Sequence, residues 1–146
     1  MLKTKVGYST LKDSYAKGKE AAKNANVGMH PILGMMYCSC NDDVLEVVNG
    51  AMSSMKGAPI IGCTSSGMIM TNDGIIESED GFAGLMSFDD KNMNIGVAAH
   101  KAGKNAREIG RKVARAAVEN AGENYSPNYF YMVASPKEEE DYLMGI

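Results

Sequence analysis

The sequence predicts an α/β domain, a mixed β-sheet with parallel βαβ units plus an antiparallel hairpin and with helices packed on the sheet. Three observations carry this. Short apolar runs alternate with longer stretches of helical period, which is the pattern of strands alternating with helices. The connections between the first three runs are long enough to be helical crossovers between parallel strands. Further along, turn residues separate shorter runs in the manner of a hairpin.

The elements follow in order. Residues 5–9 read as a short strand, and Asp13 or Ser14 is placed to cap a helix in which Tyr15, Gly18, Ala22 and Ala25 recur at spacings of three and four. That stripe is small, so the helix is expected to lie close against its neighbour. Residues 32–38 form a continuous apolar run after His30-Pro31, as in a strand covered on both faces. Asn41 is expected to cap the next helix, with Asp42 and Asp43 in its first turn. Val44, Val48, Ala51 and Met55 would make its apolar stripe, and Gly57 its left-handed stop. Residues 59–63 give a third strand, parallel to the second.

Thr71-Asn72-Asp73-Gly74 marks a turn, and residues 81–88 followed by 93–99 read as a hairpin around Asp89-Asp90-Lys91-Asn92. Residues 104–121 carry the clearest helical pattern, with Ala106, Ile109, Val113 and Ala117 inward and Arg107, Glu108, Arg111, Lys112 and Arg115 on a solvated face. Gly122 would end this helix, and the aromatic-rich residues 128–134 read as a strand. After Ser135-Pro136 the acidic run Lys137-Glu138-Glu139-Glu140-Asp141 reads as the opening of a further helix. The 146 residues are therefore expected to be one domain truncated at its C-terminal end.

Composition narrows the function. The length suits a single domain, since these cluster near roughly 100–150 residues, and 45% hydrophobic residues suffice for a core. The net charge of −3 leaves no basic excess to neutralise phosphates, so nucleic acid is not an expected partner. The longest charge-free stretches, 25–41 and 57–72, are broken by Gly, Pro, Asn and Ser and fall short of the about 18 apolar residues of a membrane span. No apolar segment follows the N-terminal lysines, and three cysteines are an odd number; both point to the cytoplasm.

The best site candidate is Gly62-Cys63-Thr64-Ser65-Ser66-Gly67, where small residues after a buried strand leave amides, hydroxyls and a thiol to face a ligand. Met68 and Ile69 stand where a P-loop needs Lys and then Ser or Thr, and no G-x-G-x-x-G occurs, so no nucleotide cofactor is expected. A strand-exit turn whose hydroxyls satisfy their own backbone accounts for the loop about as well. Cys38-Ser39-Cys40 ends the neighbouring strand and would approach this loop, because open α/β sheets bind ligands outside the carboxyl ends of their strands. Three thiols raise a metal or redox module as an alternative, although Cys-x-Cys is not the usual zinc spacing. Cys63 as the nucleophile of an enzyme is another, but neither His30 nor His100 is placed beside it to act as a base.

Val6-Gly7-Tyr8-Ser9, then Ala16-x-Gly18-x-x-Ala21-Ala22, the Cys38 strand exit, the run from Pro59 through Gly67, and Gly110-x-x-x-Ala114-x-x-Ala117 together resemble the N-terminal FIST domain. The Gly-Cys-Ser/Thr-x-x-Gly signature is the most specific piece. The resemblance implies a signal-transduction sensor that binds a small molecule, an amino acid or small carboxylate, and whose partner is a second, C-terminal FIST domain or a downstream signalling protein. Self-association is left open. The family often places an acid after the signature glycine, where this chain has Met68. The ligand-binding residues expected from residues and resemblance together are Cys38, Ser39, Gly62, Cys63, Thr64, Ser65, Ser66 and Gly67, with no catalytic residue, metal or cofactor.

Overall fold

The first strand, β1 (Lys3–Ser9), runs into a helix whose start is set by Asp13. Its carboxylate accepts the backbone N–H of Ala16 at 2.7 Å and so begins α1 (Ser14–Ala25). After β2 (Leu33–Ser39), it is Asp43 rather than Asn41 that caps α2 (Val44–Met52), accepting from Leu45 N at 3.1 Å and Glu46 N at 3.2 Å. Of the expected stripe, Ala51 and Met55 are fully buried, whereas Val44 is exposed and Val48 half-buried, and Val47 and Gly50 take the inward positions ahead of Ala51. Gly57, at φ +89°, does take the left-handed conformation, a short turn beyond the helix end. Strands β3 (Ile60–Ser65), β4 (Ile69–Thr71), β5 (Gly74–Ile76) and β6 (Ala83–Asp89) follow.

This computed structural model describes residues 1–122, 127–134 and 137–146. The chain divides into two units, Met1–Asn92 and Met93–Ile146. In the first, a mixed sheet has the strand order β1-β6-β2-β3. β2 and β3 are parallel, as the sequence predicts, with Gly34 opposite Ile60 and Ser39 opposite Ser65. β6 runs antiparallel to both β1 and β2 and lies between them. The antiparallel hairpin of the fold is β4–β5, closed at Thr71–Gly74, and not the expected pairing of 81–88 with 93–99. Both long edges of β6 are already occupied by β1 and β2, so no edge remains for a hairpin partner.

Burial along β2 alternates: Gly34, Met36 and Cys38 are buried while Leu33, Met35 and Tyr37 are only half-buried. One face is therefore covered, not two as the apolar run suggests. The covered face packs Met36, Cys38, Ala83 and Leu85 against Ala21, Ala22 and Ala25 of α1 and Val47, Ala51 and Met55 from α2 and its exit. The small stripe of α1 brings the two helices into contact as expected. A Cβ on Gly18 would stand 1.9 Å from the carbonyl oxygen of Val47, and one on Gly50 would stand 2.0 Å from that of Tyr15. Tyr15 itself lies at the rim, more than a third exposed.

In the second unit, Asn105 caps α3 (Ala106–Ala121), and Gly122 ends it at φ +118°. Ala106, Gly110 and Ala114 form its buried line, flanked by half-buried Ile109, Val113 and Ala117, while the five charged residues lie on the exposed side. The short α4 (Glu139–Leu143) rests on this helix and carries Glu139, Glu140 and Asp141 in its first turn. Residues 93–99 and 128–134, read from the sequence as strands, are not in strands. Ser135 and Pro136, expected to introduce the last helix, lie outside the described residues. Among the described residues no helix is long and apolar enough to cross a membrane.

Candidate functional site

Because β6 is antiparallel to its two neighbours, β1, β2 and β3 all point the same way. Their carboxyl ends therefore share one edge of the sheet with the starts of α1 and α2 and with the segment entering β6. Two backbone bonds stitch this edge: Ser39 N to Phe82 O at 2.9 Å and Cys40 N to Ser65 O at 3.1 Å. At the end of β1, Ser9 Oγ donates to Glu20 Oε2 at 2.6 Å and accepts from Leu11 N.

The sequence-predicted residues divide by face. Cys38 lies opposite Thr64 and Ser39 opposite Ser65, whereas Cys63 lies opposite Tyr37. With side chains alternating along each strand, Cys38 and Thr64 belong to the helix-bearing face and Cys63 to the other. Cys38 and Ser39 are buried; Cys63, Thr64, Ser66 and Gly67 are exposed. Burial pushes the Cys38 thiol above its ordinary pKa. The charge of Asp42 and then Cys63 add to the rise, and the ammonium of Lys17 opposes it.

Within the loop, Ser65 Oγ donates to Met68 O at 3.1 Å and closes the turn. The hydroxyls of Thr64 and Ser66 have no hydrogen-bond partner among the described residues. The two signature glycines also differ. A Cβ on Gly62 would lie 1.7 Å from Met36 O, so the sheet itself excludes a side chain there. Gly67 has nothing within 4 Å of such an atom, so packing does not require a glycine there.

Two residues outside the sequence-predicted set occupy the centre of the edge. Lys17, fully buried in α1, pairs with Asp42 Oδ1 and donates to Asp80 O at 2.5 Å. Ser14 Oγ adds a contact to the same Asp42 oxygen at 3.5 Å. Asp42 is thus a buried ion-pair partner, not a residue of the first helical turn. The available signal was Lys17 itself, which falls on the inward side of α1 between Ser14 and Ala21.

The family model of the FIST N domain matches residues 32–146. The chain belongs to this family. FIST domains are sensory domains of signal-transduction proteins. A search of curated proteins finds no match. Among solved structures, the FIST N domain is similar to the crystal structure of thiamine monophosphate kinase from Aquifex aeolicus, at 13% identity and a TM-score of 0.41. That similarity covers 86% of this chain and 47% of the kinase chain, so the chain spans under half the kinase's length.

The signature cysteine of this FIST N domain has no histidine beside it within its own unit. His30 is held at the opposite end of the sheet, its backbone N–H donating to Asp89 Oδ2 at 3.0 Å where β6 ends and β1 begins. His100 belongs to the second unit, with Nδ1 at 2.8 Å from Lys101 O. Cys38, Cys40 and Cys63 are all free. Among the described residues, no group of three or more His, Cys, Asp or Glu side chains is arranged to hold a metal ion.

Proposed function

We propose that this FIST N domain is a small-ligand sensor whose site is the strand-exit edge of β2 and β3, centred on residues 62–67 with Cys38 and Ser39 behind them. The observation that carries the reading is the pair of exposed, unbonded hydroxyls on Thr64 and Ser66, beside a Gly67 whose missing side chain no packing demands. A glycine free of steric duty lets backbone amides approach a ligand, and a carboxylate or similar polar head suits amides and hydroxyls together. An amino acid or a small carboxylate is the ligand class, and the signal passes to a C-terminal FIST domain or a downstream signalling protein. The domain works in the cytoplasm, where its three cysteines stay reduced.

Thermal unfolding against a panel of amino acids and small carboxylates tests this. A ligand at 100 times its Kd adds about 2.7 kcal/mol, a shift of several degrees for a domain of this size. The shift is expected to disappear in Thr64→Val/Ser66→Ala while the unliganded midpoint stays put. A shift that survives both substitutions, or a panel without any shift, overturns the reading.

A further inference from the structure

The two oxygens of Asp42 are in different states. Its side chain is 5% exposed, and Oδ1 receives Lys17 and Ser14, while Oδ2 is buried without any hydrogen-bond partner. No other buried side-chain polar atom among the described residues is left in that state. An unsatisfied buried acceptor is a standing cost, and more so for a charged group. What covers Oδ2 is the turn ending in Gly81, whose N–H bonds Ser78 O at 3.1 Å and whose φ is +78°. A Cβ on Gly81 would stand 2.6 Å from Oδ2, so only glycine lets this turn close over the carboxylate. Lys17 then ties the turn down through Asp80 O.

We propose that Asp42 Oδ2, beneath the 78–81 turn, is the receptor for the cationic end of the ligand, a primary ammonium. This rests on the sensor reading above and adds the ligand's second head group. The unmet need at Oδ2 is for a donor, which a carboxylate cannot supply and a quaternary ammonium lacks. The positive ends of α1 and α2 do not call for an anion here, because Asp13 and Asp43 already cap them. Entry of an ammonium requires the turn to lift. Lys17 keeps Oδ1 and releases Asp80 O, and the freed segment is the one that enters β6, a strand inside the sheet. Binding is thereby coupled to the packing of the sheet edge.

The test uses the chain labelled with carboxyl-13C aspartate, titrated through the millimolar range with methylammonium chloride and, at matched ionic strength, tetramethylammonium chloride. The Asp42 signal, assigned by its absence in Asp42→Asn, is expected to move saturably with methylammonium alone. If Asp42→Asn does not fold, the charge-neutral pair Lys17→Met/Asp42→Asn provides the assignment. An equal response to both salts, or none to either, overturns the proposal. If an amino acid raises the unfolding midpoint through Thr64 and Ser66 while the Asp42 signal stays still, this inference falls and the sensor reading stands. If the Asp42 signal moves with methylammonium while the loop is unresponsive, the ammonium site stands and the loop assignment falls.

Discussion

The ammonium of Lys17 and the carboxylate of Asp42 meet out of water, with side chains 0% and 5% exposed. They tie α1 to the β2–α2 turn, and through Asp80 O to the entrance of β6. Removing one partner of such a pair strands the other as a buried charge and costs about 3–5 kcal/mol, whereas removing both is far milder. Lys17→Met and Asp42→Asn singly are therefore expected to lower the urea midpoint strongly, and the double variant to recover most of the loss. A double variant as unstable as the sum of the singles would show that the two side chains do not act as a pair.

Contact between α1 and α2 depends on two glycines that face backbone, not side chains. A methyl at Gly18 or Gly50 would meet a carbonyl oxygen at 1.9 Å or 2.0 Å, which no rotamer change relieves. Gly18→Ala and Gly50→Ala are each expected to cost about 3 kcal/mol, at the upper end of overpacking. Gly67→Ala, with open space at that position, is expected to change stability by less than about 0.5 kcal/mol. Equilibrium denaturation of the three variants checks the contrast.

What the sequence discloses here is local. Asp13 with its small-residue stripe, the apolar run of β2 and the crossover to β3 were legible because caps, period and connection length are set by neighbours in the chain. The pairing of β6 was not. Its tight turn residues suggested a hairpin with 93–99, yet the strand lies between β1 and β2, a choice made by distant strands competing for the same edges. Residues 128–134 show the converse, since an aromatic-rich run is a strand only where a partner strand pairs with it. In the candidate site, the loop from Gly62 to Gly67 was visible by composition, but Lys17 and Asp42 were not. A lysine on a helix and an acid near a cap ordinarily face solvent, and only the fold reveals that this pair does not.

The start of α2 discriminates between the sequence expectation and the structure. Asp43 accepts two backbone N–H groups, whereas Asn41 caps nothing in α2. Asp43→Ala is expected to cost about 1 kcal/mol and Asn41→Ala a few tenths at most. Both residues are exposed, so a difference in midpoint reports the cap and not a cavity. Equal effects would return the cap to Asn41.

Cys38 links the core to the site through its proton. Burial first, then the charge of Asp42, holds its pKa above the ordinary 9.0. The unfolded chain therefore loses this proton at lower pH than the folded one. Below about pH 9 the contribution to stability is complete, and it declines as pH rises from there through the folded value. The unfolding free energy of the native chain should thus fall more steeply above pH 9 than that of Cys38→Ala, whatever the offset between them from the lost side chain. Iodoacetamide supplies the complementary measurement, because the exposed Cys40 and Cys63 are expected to label in the folded state and Cys38 only on unfolding. Identical slopes in the alkaline range, together with early labelling of Cys38, would mean that the thiol behind the signature loop is open to solvent. The covered face of β2 would then have to open in solution.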